Sequence, residues 1–147
     1  MRRDYFTLRV EGTNTVAEPP TVRIAYEGPT DELRRRLRTN DGGWVDASEI
    51  DVTYRFRETL DGDDEGVFAI TNRITGEYIL ELNSPSDRLL ELAAVANERE
   101  DGEFGFRIEI DADGERLVSF ETSTFLVYDT DGELLRQHSL IPSGVEL

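Results

Sequence analysis

The sequence predicts an α+β fold: a curved, mainly antiparallel sheet of about eight or nine strands, packed on one main helix at 84–100, with a short second helix at 31–38. Three observations predict it. Ser84–Glu100 is the one long stretch whose apolar residues recur with the period of a helix. On both sides of it lie short runs in which apolar and polar residues alternate, the mark of strands with one buried and one wet face. Short turns rich in Gly, Asp and Asn join those runs, as hairpins require. Parallel crossovers would need more helices than this pattern supplies.

In chain order, Tyr5–Val10 alternates as a first strand, with Phe6, Leu8 and Val10 on one side. The stretch GTNTVAEPP is a loop, because its prolines cannot continue a ladder. Thr21–Tyr26 is a second strand with Val22, Ile24 and Tyr26 inward. Thr30 is a candidate cap for a helix at 31–38, whose apolar stripe is Leu33 and Leu37. Ile50–Arg57 is the cleanest strand, setting Ile50, Val52, Tyr54 and Phe56 against Asp51, Thr53, Arg55 and Arg57. LDGDDEG turns the chain into Val67–Arg73, and Thr75-Gly76 turns it again into Glu77–Leu82.

The main helix then follows. Asn83 or Ser84 caps it, Pro85 suits its first position, and Asp87 completes a box with Ser84. Leu89, Leu92, Ala93 and Ala96 form one stripe, widened by Leu90; the alanines let a sheet come close. Asp87, Glu91 and Glu98 face water, and Asp101-Gly102 ends the helix. Phe104–Ile110, Glu115–Thr122, Thr124–Tyr128 and Glu133–His138 read as the last strands, before an extended tail at 139–147. No linker divides the chain, so residues 1–147 form a single domain.

Composition bounds the chemistry. Cysteine is absent, which excludes disulfides and thiolate catalysis. No run approaches the ~20 apolar residues of a membrane span, and MRRDYFTLRV lacks the apolar core of a signal peptide, so a cytoplasmic protein is expected with no membrane contact. The 32 acidic residues outnumber the 16 basic ones, for a net charge of −16, and every basic residue is arginine. Such like charge opposes compaction unless it is screened, and in molar salt the screening length falls to about 3 Å. The balance therefore fits a salt-rich cytoplasm, and acidity reports the solvent before it reports a partner. Residues 1–59 hold eleven acids and ten arginines, a net of −1, whereas residues 60–147 hold twenty-one acids and six arginines, a net of −15.

That near-neutral N-terminal part supplies the candidate site residues. Arg34, Arg35, Arg36 and Arg38 cluster at the short helix, while Arg9, Arg23, Arg55 and Arg57 fall on the wet side of strands. With Arg2 and Arg3 they offer positive charge for an acidic protein or, less favoured, for RNA, since arginine grips carboxylate and phosphate with two hydrogen bonds. Against this, Glu11, Glu27, Asp51 and Glu58 stand near enough to pair with them internally, and outward aromatics for stacking bases are scarce. The predicted partner-binding residues are thus Arg34, Arg35, Arg36, Arg38, Arg55 and Arg57. A homodimer through sheet edges, or docking through the apolar tail, fits the same reading.

Other chemistry is weaker. Asp111-Ala112-Asp113-Gly114 and Asp129-Thr130-Asp131-Gly132 resemble the opening of a calcium loop, but the twelfth positions, Thr122 and Leu140, cannot close one. They read better as turns. His138, the sole histidine, has no nucleophile elbow near it. No metal, cofactor or catalytic set is predicted. A small-molecule binder or minor hydrolase using the concave face of the sheet is the alternative to a non-enzymatic interaction protein.

Three stretches, RRDYFTL at 2–8, TNRITGEYILEL at 71–82 and TFLVYDTDGELLRQHSLIPSGVEL at 124–147, resemble a family of small, acidic, uncharacterised haloarchaeal proteins, a domain of unknown function. The resemblance implies a halophile, and it brings no activity, cofactor or site residue.

Overall fold

A computed structural model describes residues 5–14, 18–39, 41–57, 65–98 and 105–141. Arg2, Arg3, Glu58, the turn at 60–64, the helix end at Asp101-Gly102, Phe104 and the tail beyond Ile141 lie outside them.

The α+β class holds, with eight strands and two α-helices among the described residues: β1 (Phe6–Glu11), β2 (Thr21–Tyr26), α1 (Thr30–Arg36), β3 (Ile50–Arg57), β4 (Glu65–Asn72), β5 (Tyr78–Pro85), α2 (Asp87–Glu98), β6 (Phe106–Ala112), β7 (Glu115–Thr122) and β8 (Leu126–Tyr128). The strands divide into two four-stranded sheets, ordered β1-β2-β6-β7 and β5-β4-β3-β8, where one curved sheet was expected. Each sheet also contains one parallel pair, β2 with β6 and β3 with β8. Short helices do not forbid these pairs, because the connection from β2 to β6 is made by α1, three strands of the other sheet and α2 together.

One core joins both sheets and both helices. The inward residues of the sheets meet through Phe125, whose ring centroid lies 5.9 Å from Phe106 and 6.1 Å from Phe68. α2 buries Leu89, Leu92, Ala93 and Ala96, the stripe its periodicity predicts. It starts at Asp87, later than the sequence suggests. Ser84 and Pro85 remain in β5, paired with Gly66 and Glu65, and the Tyr54 hydroxyl donates to the Ser84 carbonyl at 2.6 Å. Proline is tolerated there because β5 is an edge strand. Thr30 is likewise the first helical residue of α1 and not its cap. Leu33 and Leu37 are buried as expected.

The expected strand at Glu133–His138 is replaced by a single bridge, Leu134 to Tyr128, and a 3₁₀ turn at Arg136–His138. The buried hydroxyl of Ser139 explains it. Its Oγ accepts from the Val127 N–H at 2.9 Å and donates to the Leu135 carbonyl at 2.8 Å, so a side chain takes the place of ladder bonds. Leu140 then folds onto the core against Phe125.

Both D-x-D-G segments are turns. Asp113 and Gly114, with φ of 53° and 84°, make the hairpin from β6 to β7, a geometry that Asp and Gly tolerate. The Asp129 carboxylate accepts from the N–H groups of Asp131 and Glu133, each at 2.9 Å. Among the described residues no group of three or more His, Asp or Glu is placed to hold a metal ion, and no helix is long and apolar enough to cross a membrane.

Candidate functional site

The structure separates the arginines into two sets. Arg9 and Arg23 lie on the outer face of the β1-β2-β6-β7 sheet, side by side in register with Glu109. There Arg23 Nε donates to Glu11 at 2.7 Å, and Arg23 and Arg116 each approach Glu109 Oε2 at 2.8 Å. Both approaches lie off the N–H axis, so Oε2 is held by charge and accepts no aligned hydrogen bond. Arg116 also meets Asp111. This set is paired within the sheet, as the internal-pairing reading expects, though mostly with acids other than those the sequence singled out.

The second set surrounds a cleft between α1 and the turn from β4 to β5. The cleft has a volume of about 330 Å³, and Arg35, Arg36, Arg38, Ile74 and Tyr78 line it together with Glu49 and Glu77. α1 sets one wall. Burial of Leu33 and Leu37 turns Arg35 and Arg36 outward, where Glu32 receives Arg35 Nη2 at 2.7 Å and Arg36 Nε at 3.0 Å. Arg36 reaches on to the Tyr78 carbonyl at 3.2 Å, tying helix to sheet edge. Arg38 follows the helix in a bridge with Trp44, and its guanidinium sits 4.6 Å from the indole centroid, a cation–π contact.

The opposite wall is a braced turn. Asn72 Oδ1 accepts from Ile74 and Thr75, and Asn72 N–H donates to Glu77. Arg73 pins the turn to β3 through Asp51 and the carbonyls of Ser48 and Ile50. So held, Ile74 stands 73% exposed. Among the described residues the large apolar side chains left exposed are Ile74, Tyr78 and Trp44. Scattered singly they would need no explanation, but here Ile74 and Tyr78 line the cleft and Trp44 stacks on Arg38, one of the arginines of its wall.

Of the predicted site residues, Arg35, Arg36 and Arg38 meet here, and Arg34 sits half-buried on the same helix. Arg55 and Arg57 lie on the outer face of the other sheet, bonded to the Thr130 carbonyl at 3.2 Å and Asn83 Oδ1 at 3.1 Å. Ile74 and Tyr78 carry no sequence signal of a site. For Tyr78 the reason is a bulge. Ile70 pairs with Leu80 but Thr71 with Tyr78, so Ile79 is an extra residue that turns Tyr78 outward from the core face that alternation from Leu82 would assign it. The lone tryptophan beside Gly42-Gly43 is the one hint the sequence offers.

Hydrogen bonds from Arg35 and then Arg36 hold the Glu32 carboxyl down at about 2, against an ordinary value of 4.5. With the folded value depressed, what these pairs contribute is complete above the unfolded value and is lost as pH falls from about 4.5 through about 2. A carbon-detected NMR titration should place the Glu32 midpoint near that lower value. In the Arg35→Gln/Arg36→Gln double variant it should return to the common carboxylate range.

No curated protein and no solved structure matches this chain. A family model does, along residues 1–147, and with that match the chain belongs to a family of unknown function (DUF5793).

Proposed function

We propose that this protein is a non-enzymatic, cytoplasmic interaction protein of a halophilic archaeon, and that it holds an acidic protein partner in the cleft between α1 and the β4–β5 turn. The observation that carries the reading is that the exposed Ile74 and Tyr78 share the cleft with Arg35, Arg36 and Arg38, while the exposed Trp44 stacks on Arg38. Trp, Tyr and Arg are the residues that most often dominate binding energy at interfaces. One wall of the cleft comes from the near-neutral N-terminal part of a chain of net charge −16. The lining sets Arg35, Arg36 and Arg38 against Glu49 and Glu77, so an acidic partner is repelled least there. The salt-rich cytoplasm rests on the acidic excess and the complete absence of lysine.

Against a binder or hydrolase that uses the concave side of a sheet stands the packing of that side, where Tyr54, Phe106 and Leu92 are fully buried. A small ligand in the arginine cleft is the better second reading, since its volume falls at the lower end of ligand sites.

The test is affinity capture from a haloarchaeal lysate in molar KCl, comparing wild type with the variant in which Arg34, Arg35, Arg36 and Arg38 are all glutamine. Loss of an acidic protein from the captured set is expected. Identical sets from the two baits would dispose of the proposal.

A further inference from the structure

Tyr78 borders a second depression. On the outer face of the β5-β4-β3-β8 sheet lies a trough of about 380 Å³, floored by Thr53, Val67 and Ala69 and bounded by Tyr78 and Tyr128. The register explains its shape. Glu81, Ala69, Thr53 and Leu126 form one row across all four strands, and the two short side chains in the middle leave the row low. Arg55 lies in the next row beside Tyr128, anchored across β8 by its bond to Thr130. With strands ~4.8 Å apart, the trough crosses ~14 Å from β5 to β8, the length of about four extended residues.

Resting on the reading of the arginine cleft as a binding site, we infer that the bound segment is an extended acidic peptide that rounds Tyr78 and continues across this sheet. Tyr78 lines both depressions, so an occupant of both bends at that residue. A helix is a nearly straight rod 10–12 Å across and does not follow such a path. An extended chain does, and it presents alternate side chains to the surface beneath. Arg35 and Arg38 receive carboxylates at one end and Arg55 at the other, while the floor of Val67 and Ala69 takes an apolar side chain between them. Glu49 and Glu77 in the cleft argue against a polynucleotide. Phosphates recur at every nucleotide and would meet these carboxylates, whereas a peptide can set neutral residues against them.

Trp44 is the only tryptophan and stacks on Arg38 of the cleft wall, so its emission reports engagement of that arginine by an occupant. Peptides of four and of ten residues that repeat Glu-Glu-Leu-Leu, so that each face of the extended chain carries Glu and Leu in turn, and decauridylate, are titrated at the lowest KCl concentration that keeps the chain folded. The ten-residue peptide, ~33 Å when extended, reaches from the cleft across the sheet, whereas the four-residue peptide fills the cleft alone. The longer peptide is expected to bind at least tenfold more tightly. Thr53→Arg, which fills the trough, and Arg55→Gln, an exposed change made in case the first fails to fold, should each remove most of that gain and leave the short peptide unaffected. Equal affinity for both lengths, with Trp44 responding to both, would overturn the extended path and spare the cleft. Silence of Trp44 towards both peptides would overturn path and cleft together. Tighter binding of decauridylate would replace the peptide with single-stranded RNA.

Discussion

Leu92→Ala is expected to lower the free energy of unfolding by about 2–5 kcal/mol, measured by urea titration at constant KCl. Leu92 sits mid-way along α2 with no exposed surface, among Leu89, Ala93 and Ala96 of the same stripe. A helix of this length is marginal alone and is held by what its apolar face buries. Removing the largest contacts from that face leaves a cavity that the surrounding packed core closes only in part. The exposed Ala94 serves as the control. Its replacement by leucine should change stability by less than about 0.5 kcal/mol. A Leu92→Ala loss below about 1 kcal/mol would mean that α2 does not pack as a core element.

Gly66→Ala is expected to cost about 1–3 kcal/mol or more, from the opposite fault of overfilling. A β-carbon at this position would lie 2.3 Å from the Arg55 carbonyl oxygen and 2.6 Å from the Tyr54 ring. The ring of Tyr54 passes over β4 at Gly66 to reach the Ser84 carbonyl on β5, so one missing side chain makes room for a bond that spans three strands. Moving the ring also disturbs its edge-on contact with Phe56, at a centroid distance of 5.5 Å. Comparing urea midpoints of Gly66→Ala and Tyr54→Phe separates the two effects. The second loses only the hydroxyl bond, worth about 1 kcal/mol. Equal losses in the two variants would show that the backbone clash at Arg55 relaxes freely.

The elements themselves were legible where alternation or helical period was strict. β2, β3 and β7 keep the bounds their patterns set, and α2 buries the stripe its spacing marks. The failures share a cause. At Ser84, at Tyr78 and at residues 133–138 the outcome rests on a group farther along the chain or on a one-residue shift: the Tyr54 hydroxyl, the bulge opposite Ile70, the Val127 N–H whose bond Ser139 accepts. None leaves a mark in local periodicity.

The candidate site shows the same division. Arginine content pointed to residues 34–38, because charge density is read directly from composition. Ile74, Tyr78 and Trp44 come from two separate turns and a strand edge, and exposure of an apolar residue is decided by its neighbours in space. The outer-face arginines show the other half of this. Arg23 is engaged by Glu11 and Glu109, from two different flanking strands, while Arg55 lies in another sheet altogether.

By itself, then, the order of residues determined the class of fold, the helix face that is buried and the excess of negative charge, since each follows from local pattern or simple counting. Only the folded chain decided the division into two sheets, the parallel pairs and the placing of Ile74 and Tyr78 among three arginines, with Trp44 stacked on one of them. These depend on contacts between residues far apart in sequence, and their free energy is realised only after the intervening chain has been ordered.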